Sequence, residues 1–395
     1  MLIDSRQPMS YTSAQSGDNY RNWWPHPTMT AFTNDSIDEL DRLARDTNDV
    51  FHMTRGGYVL ATRRPDIDEF LGTIPGDIAV DVFSGQEQLR SRFPALDGSI
   101  RNVIHIRRGG DISGQQLGQH MLQACRGENF RRLTGDLTGI SDNGHYELQV
   151  STTAGRVTIE ADVVINAAGP FAGHIASMLG IDLPIKNIYQ QKIAFEDTAA
   201  VIARDMPFSI DLDPKRLNWS DDERELLRDD PALEWLTQEL PGGTHCRPEG
   251  GVNGKWVKLG WAYNKTASQA QEDLANEARI DPQFPEIVIR GAAAFLPAMQ
   301  HYVDSPPTRF SHYGGYYTMT EENWPLIGPL NDHGAFLVGA LSGFGSMSAC
   351  AAGKLCAAHV NGDTLPSYAA DLSLARLSNR ALLEELRSSA NKGLL

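Results

Sequence analysis

Two short glycine-containing turns have the residue types that could do chemistry. "ADVVINAAGPFAG" places Ala167, Ala168 and Gly169 directly after an apolar run, and "FLVGALSGFGSMSACAAGK" places Gly343 and Gly345 just before a helical pattern. Small residues let backbone approach a ligand closely, and a helix beginning at such a turn presents free N–H groups and a positive dipole end. Ordinary strand-turn-helix packing selects similar residues, so neither turn identifies a ligand by itself.

Two charged side chains are further candidates. Asp4 ends the short apolar run Leu2-Ile3, as an acid at the end of a buried strand would. Lys258 lies in "WVKLGW", where the alternation of a strand turns it away from its apolar neighbours Val257 and Leu259. A solvent-facing strand lysine is the alternative interpretation of Lys258.

Composition limits the class of protein. The chain has 395 residues, 41% of them hydrophobic and 22% charged, with a net charge of −15. This length predicts two domains, because single cores stop growing at roughly 250 to 300 residues. The negative charge argues against nonspecific binding to nucleic acid or to anionic membranes. No apolar run approaches the roughly 18 residues of a membrane helix, so we expect no membrane span.

Cysteine and histidine usage gives two further expectations. The four cysteines show no CxxC spacing, and the eleven histidines show no HExxH or comparable arrangement. Four cysteines are too few for a disulfide framework in a long chain, and no secretory pattern opens the sequence. The sequence therefore predicts a reducing, cytoplasmic location and no metal site.

Periodicity predicts alternating strands and helices. Apolar residues at helical spacing after residue 36 predict a helix capped by Asn34, Asp35 or Ser36. "NVIHIRRGGDISGQQLGQHMLQAC" reads as a strand, a turn and an amphipathic helix. The uninterrupted apolar run at 163–165 predicts a strand covered on both faces in a parallel sheet.

The pattern changes along the chain in a way that predicts interleaved domains. Strand-turn-helix material occupies the beginning, middle and end, whereas residues from about 184 to 309 form longer polar segments. We therefore assign 1–50, 103–183 and 310–395 to one domain, and 51–102 and 184–309 to an inserted, mainly antiparallel domain. The expected class is α/β.

The order of these motifs resembles the D-amino-acid oxidase-like (DAO) superfamily of FAD-dependent oxidoreductases, and within it the sarcosine oxidase-like amine oxidases. The resemblance extends over nearly the whole chain through "LIDSRQP", "GDNYR", "GGDISGQQL", "ADVVINAAGPFAG", "VKLGW", "GGYYTMTEENWPLIGP" and "ALSGFGSMS". It implies a Rossmann-like FAD-binding domain and FAD as cofactor. Asp4 matches the family acid that binds the adenosine ribose.

The resemblance also implies that a unit is missing. In the family a unit of about thirty residues precedes the ribose acid. It consists of a strand, a GxGxxG turn and a helix. The sequence contains no replacement, so we expect either a misassigned or truncated start, which we favour, or a short product that binds FAD poorly or folds only with help.

Further FAD contacts are implied by residues that match the family motifs. Arg21 matches an arginine beside the flavin, where a fixed guanidinium favours the electron-rich reduced form. Ser13 lies in the segment that passes over the flavin ring, and Ala167 and Gly169 match the turn where backbone approaches the cofactor. The C-terminal turn adds Gly343, Phe344, Gly345 and Met347, where a helix beginning near Ser346 would point its N–H groups at the flavin pyrimidine.

Lys258 is the strongest catalytic candidate that the resemblance provides. It matches a family lysine that sits over the flavin and promotes reaction with oxygen. A cation there lowers the cost of developing negative charge on O2.

Departures from the family pattern concern the substrate and the cofactor linkage. Gly315 stands where some relatives attach FAD to a cysteine, so FAD is expected to be noncovalent. Met347 and Trp24 replace a lysine and an arginine that hold a substrate carboxylate, so an anion clamp is absent there. A bulkier, less anionic amine is expected, in a pocket lined by Trp24, Tyr316 and Met347, with Arg247 as a remaining cation.

The predicted reaction is oxidation of the C–N bond of an amine or amino acid by hydride transfer to the flavin, with reoxidation by oxygen. A dehydrogenase that passes electrons to a quinone or to another protein is one alternative. A truncated, noncatalytic product is the other.

Overall fold

The computed structural model describes residues 1–72, 78–127, 129–274 and 280–388, and its largest element is an eight-stranded mixed sheet. In spatial order its strands are β16 (Phe310–Met319), β12 (Lys186–Glu196), β15 (Trp256–Gly260), β14 (Thr244–Glu249), β13 (Phe208–Asp211), β3 (Tyr58–Thr62), β5 (Asn102–Ile106) and β4 (Val80–Ser84). β13 and β3 pair in parallel, and the other neighbours pair antiparallel. The mainly antiparallel sheet that was predicted is confirmed.

Smaller sheets surround it. β11 (Val164–Asn166) pairs in parallel with β18 (Ala335–Gly339), which pairs antiparallel with β17 (Leu326–Pro329). β1 (Leu2–Asp4) pairs in parallel with β7 (Arg132–Thr134). The remaining sheets join β8 (Asp136–Asp142), β9 (Tyr146–Thr152) and β10 (Gly155–Ala161), and separately β2 (Asn19–Arg21) and β6 (Gly109–Asp111). Parallel pairs between distant strands, beside an antiparallel sheet, establish a mixed α/β fold.

The helices cover these sheets. They are α1 (Pro27–Asp46), α2 (Asp68–Leu71), α3 (Gln86–Arg92), α4 (Gly114–Ala124), α5 (Ala172–Ser177), α6 (Asp221–Asp229), α7 (Phe284–Ala293), α8 (Gln300–Asp304), α9 (Gly345–Asn361) and α10 (Arg380–Ser388). α1 and α9 belong to one apolar core, where Phe32 and Leu40 are grouped with Ala352 and Leu355. No helix in the described ranges is both long and apolar enough to cross a membrane.

The N-terminus of α1 corrects the predicted cap. The helix begins at Pro27, so Asn34, Asp35 and Ser36 are interior residues. The Nδ1 atom of His26 accepts a hydrogen bond of 3.2 Å from the N–H of Thr28. Proline suits the first helical position because its missing N–H would have no partner there, which is why the helix extends beyond its predicted start.

α7 packs against one face of the large sheet. Ile287 and Val288 share an apolar core with Phe195, Val257 and Leu259, which are fully buried. Because side chains alternate along a strand, the residues between these core positions must face the other side of the sheet. That second face carries the charged residues of the candidate site.

β11 corrects a second expectation. Its parallel pairing with β18 is confirmed, and Val164 is buried. Val163 and Ile165 are 40% and 49% exposed, however, so the strand is not covered on both faces. The reason is that both side chains line a large cavity.

The predicted domain bounds cut through the large sheet. β5 and β16 lie in segments assigned to the FAD-binding domain, but both pair with strands of the eight-stranded sheet. The division into two domains stays a prediction.

Candidate active site

A cavity of about 1230 Å³ lies where the small sheets, the N-terminal loop and the edge of the large sheet meet. Its lining includes residues 1–7, 9–13, 15–17, 163–171, 315–318 and 338–343, with Lys192, Gly345 and Ser346. These segments are far apart in the chain, so the fold assembles the cavity from strands and from the loops and turns that follow them. Such a volume suits a large ligand.

The turn before α9 borders the cavity in a strained conformation. Ala340 and Ser342 have φ angles of 55° and 47°, which L-residues seldom adopt. A Cβ on Gly343 would lie 2.6 Å from the ring of Tyr317, so only glycine fits between this turn and β16. Strain of this kind, about 1–3 kcal/mol per residue, is typical of ligand sites. α9 then begins at Gly345, and the N–H groups of its first turn have no partner within the helix.

The turn after β11 is fastened by one buried side chain. Asn166 donates from Nδ2 to the carbonyl of Ala172 (2.9 Å) and accepts at Oδ1 from the N–H of Ala168 (3.2 Å). Gly169 adopts a φ of 55°. Ala167, Ala168 and Gly169 thus line the cavity with little side-chain volume, which leaves their backbone accessible to a ligand.

Asp18 joins the N-terminal loop to two helices. Its Oδ2 accepts from the N–H of Gly114 at the start of α4 (3.0 Å), and its Oδ1 accepts from the hydroxyl of Ser346 at the start of α9 (3.1 Å). The Ser16 and Ser346 hydroxyls also lie 2.8 Å apart. A carboxylate is favourable at helix N-termini, so Asp18 holds the loop against the cavity.

The second face of the large sheet carries a group of charged residues. Arg247 of β14 pairs in register with Lys258 of β15. Glu249 lies between them: its Oε2 is 2.7 Å from Arg247 Nη2 and 3.0 Å from Lys258 Nζ. Arg247 also contacts Asp111 Oδ1 at 3.3 Å and donates to the carbonyl of Gly17 at 3.1 Å. The sheet is thereby linked to the N-terminal loop.

The charge of Lys258 is affected by these neighbours. Burial, together with the nearby Arg247 guanidinium, lowers the pKa of Lys258, whereas Glu249 acts in the opposite direction. Lys258 does not belong to the cavity lining. The structure therefore places it in an ion pair on the sheet face, and its role in oxygen activation stays a prediction.

Two residues of this face escaped the sequence reasoning. Lys192 of β12 is 6% exposed and lines the cavity, with Nζ 5.4 Å from the ring centroid of Tyr317. His245 of β14 is buried, and its Nδ1 donates to the carbonyl of Gly243 (3.0 Å). Burial lowers the pKa of His245 to about 3, so the ring is neutral. No local motif marks either residue; strand alternation in "YQQKIAFE" is the only signal for Lys192.

Many predicted cofactor contacts do come together around the cavity. The lining includes the predicted cofactor residues Asp4, Ser13, Ala167, Gly169, Gly315, Gly343 and Gly345. Their convergence from separate segments is what a single large ligand would require. Their contacts with FAD stay predictions.

Other predicted site residues lie elsewhere. Trp24, Phe344 and Met347 are buried in the core between α1 and α9 and do not belong to the cavity lining. Arg21 is fully buried, with its guanidinium 4.4 Å from the ring centroid of Trp24 and 4.9 Å from that of Tyr58. The structure thus brings Tyr316 to the cavity without Trp24 or Met347, and the predicted apolar substrate pocket stays a prediction.

Comparison with known proteins agrees with this geometry. A family model described as FAD dependent oxidoreductase (DAO) matches residues 1–359. The chain therefore belongs to the DAO family of FAD-dependent oxidoreductases, and FAD is its cofactor.

Solved structures show the same fold. L-proline dehydrogenase from P. horikoshii has a TM-score of 0.70 at 16% identity, covering 94% of this chain and 88% of that one. Glycine oxidase from Geobacillus kaustophilus has a TM-score of 0.69 at 14% identity, covering 95% and 91%. L-amino acid deaminase from Proteus vulgaris has a TM-score of 0.65 at 13% identity, covering 95% and 86%. The predicted α/β fold class is confirmed.

The cavity residues fit FAD. Ala167 to Gly169 present backbone with small side chains, Gly343 leaves no room for a Cβ, and the first turn of α9 supplies N–H donors. A polar and partly anionic cofactor needs donors of this kind. The exposed side chains of Val163 and Ile165 add apolar surface to the lining.

Proposed function

We propose that this FAD-dependent oxidoreductase oxidises the C–N bond of an amine or amino acid and uses oxygen as its electron acceptor. The observation that carries the proposal is the cavity, whose lining includes the start of α9 at Gly345 and Ser346 and the lysine Lys192 of the large sheet. When bound, FAD supplies the hydride acceptor. The oxidised substrate is an imine, which water hydrolyses.

We propose noncovalent cofactor binding by backbone and small side chains. Asp4 is the candidate for the ribose, since it lies in the cavity lining at the end of β1. Ser13, Ala167 and Gly169 would contact the cofactor from the N-terminal and β11 sides. Gly315 replaces an attachment site, and no cysteine occurs among the described lining residues. The turn from Gly343 to Met347 would face the flavin with its backbone.

Two groups of the chain would stabilise charge. The N–H groups at the start of α9 are preorganised donors for negative charge that develops on the pyrimidine side of the cofactor. Lys258 would supply positive charge for the reaction with oxygen, and Arg21 would favour the reduced cofactor through its fixed, buried guanidinium. The loop held by Asp18 would exclude water from the reacting carbon.

Tyr316, Trp24 and Arg247 are the proposed substrate residues. Tyr316 lines the cavity directly. Arg247 would act through the loop, because its Nη2 binds the carbonyl of Gly17. Trp24 would act through Arg21, whose guanidinium lies against its ring.

The experiment that tests the proposal is anaerobic reduction followed by exposure to oxygen. The FAD-loaded protein is mixed with a panel of amines and amino acids, and loss of the visible flavin absorption is recorded. We expect at least one compound to reduce the flavin, with ammonia or an amine and hydrogen peroxide as products in air. A holoenzyme that no compound in the panel reduces would overturn the proposal.

A dehydrogenase is the second candidate. The ion pair of Lys258 with Glu249 favours it, because a neutralised ammonium assists oxygen less than a free one. Activity with a quinone or an artificial acceptor, without hydrogen peroxide in air, would identify this alternative.

A further inference from the structure

Lys192 differs from the other buried lysines of this chain. Lys215 lies 2.9 Å from Asp211 Oδ2, and Lys258 lies 3.0 Å from Glu249 Oε2. Within the described ranges, no carboxylate oxygen lies within 4.0 Å of Lys192 Nζ, although the side chain is only 6% exposed. Its hydrogen bond to the carbonyl of Gln15 is 3.5 Å long. Lys192 is therefore a buried cation with most of its donor capacity unused.

A buried ammonium is unfavourable unless an anion or other acceptors pair with it. An ammonium has three donors, and a buried ammonium is more stable when an anion accepts from them. The ring of Tyr317 offsets part of this cost through its π face, 5.4 Å away. Lys192 lines the cavity, so the missing anion can come from a ligand there.

Two neighbours of Lys192 are glycines, and other side chains occupy the space that their Cβ atoms would take. Gly260 stands opposite Lys192 on β15, and a Cβ there would lie 2.3 Å from Nε2 of His245. A Cβ on Gly17 would lie 2.9 Å from Nδ2 of Asn19 and 3.7 Å from the Cε of Lys192. Both neighbours therefore add no side chain next to the ammonium.

The other cations of this face are already neutralised. Arg247 contacts both Asp111 and Glu249, and Glu249 also contacts Lys258. A substrate anion that displaced either carboxylate would leave that carboxylate buried without its partner, which costs free energy. Lys192 is thus the group on this face best able to gain an anionic partner.

We infer that Lys192 binds the carboxylate of the substrate, so that the substrate is an amino acid and not a simple amine. This inference rests on the proposed function. It also supplies the anion contact that Trp24 and Met347 do not provide.

The test compares two nonreactive probes of the same shape. Pyrrole-2-carboxylate and pyrrole-2-carboxamide differ in charge, and their binding to the FAD-loaded protein is measured by calorimetry and by the change in flavin absorption. We expect the wild type to bind the carboxylate about tenfold or more tightly than the amide, as for one charge-assisted contact. Lys192→Met and Lys192→Gln should abolish this preference, and Lys192→Arg should retain it. Lys186→Met, at the exposed start of the same strand, is the matched control and should behave as wild type.

Three results would overturn the inference. The wild type could bind both probes equally, which decides the question even if no variant folds. Lys192→Gln could keep the full preference for the carboxylate. Lys192→Met could weaken FAD binding while the probe preference persists, which would assign the lysine to the cofactor. Because the probes do not react, a holoenzyme that oxidises no amine but shows the Lys192-dependent preference would overturn the proposed function alone.

Discussion

Lys258 Nζ lies 3.0 Å from Glu249 Oε2, and the same oxygen lies 2.7 Å from Arg247 Nη2. Arg247 and Lys258 are directly opposite each other on neighbouring strands. Two like charges in such a cross-strand pair destabilise a sheet, and the carboxylate between them removes the repulsion. Glu249 therefore balances the two positive charges of this face.

Removing the charge of Glu249 should destabilise the fold. Because Glu249 is about one-third exposed, we expect Glu249→Gln to lower the free energy of unfolding by about 1–3 kcal/mol, as for the loss of a partner of partly buried charges. Urea unfolding measures the change. Asp46→Asn, which removes the exposed Arg42–Asp46 pair, is the control and should change stability by less than about 0.5 kcal/mol. If both substitutions lowered the free energy of unfolding equally, Glu249 would stabilise the fold no more than an exposed ion pair does.

Replacing Lys258 should affect the two halves of the catalytic cycle differently. We expect Lys258→Met to slow reoxidation by oxygen about tenfold or more, with much less effect on reduction by substrate, since the lost charge acts on developing superoxide-like charge. Stopped-flow absorption separates the two rates. Lys255→Met, an exposed lysine of the same hairpin, should leave both rates unchanged. An unaltered reoxidation rate in Lys258→Met would remove the reason for preferring an oxidase.

His245 should make stability depend on pH. Burial lowers its pKa in the folded state to about 3, whereas the unfolded imidazole titrates near about 6.5. As the pH falls below about 6.5, the unfolded state gains a proton that the folded state does not bind, so stability is lost progressively down to about pH 3. The difference in unfolding free energy between pH 7 and pH 5 should be smaller by roughly 2 kcal/mol in His245→Asn than in the wild type.

Urea titrations of the two proteins at both pH values measure that difference. The other histidines are common to both chains, so their contributions cancel. Parallel pH profiles would mean that folding does not lower the pKa of His245.

Replacing two glycines by alanine, one in the turn before α9 and one within α9, should have opposite effects on stability. A Cβ at Gly343 would lie 2.6 Å from the Tyr317 ring, so Gly343→Ala should cost about 1–3 kcal/mol and weaken FAD binding. Gly353 lies in the exposed middle of α9, where a Cβ would meet no neighbouring atom within 4 Å. Gly353→Ala should therefore stabilise the protein by about 0.5–1 kcal/mol. Thermal unfolding and FAD titration of both variants check this, and equal behaviour of the pair would contradict it.

Local patterns were sufficient to predict two of the elements that border the cavity. The apolar run at Val164 predicted a parallel strand, and Gly343 with Gly345 predicted the turn before α9, which begins one residue before the predicted Ser346. Both features depend on residues adjacent in sequence. The start of α1 was missed because His26, an uncommon capping residue, precedes Pro27.

The charged part of the site could not be predicted because it depends on contacts between distant segments. Asp18 binds Gly114 and Ser346, and Lys192 meets the loop at Gln15. A lysine on an alternating strand has the same local pattern whether it faces solvent or a cavity. The match of Lys258 to a family motif likewise did not indicate its ion pair with Glu249.

The most direct test of the account is an FAD titration of the purified chain, followed by visible absorption and flavin fluorescence. The account predicts saturable, equimolar uptake of FAD and bleaching of the bound flavin by an amino acid in the absence of oxygen. A chain that unfolds cooperatively, and is therefore folded, but remains colourless after incubation with saturating FAD and removal of the excess would contradict it.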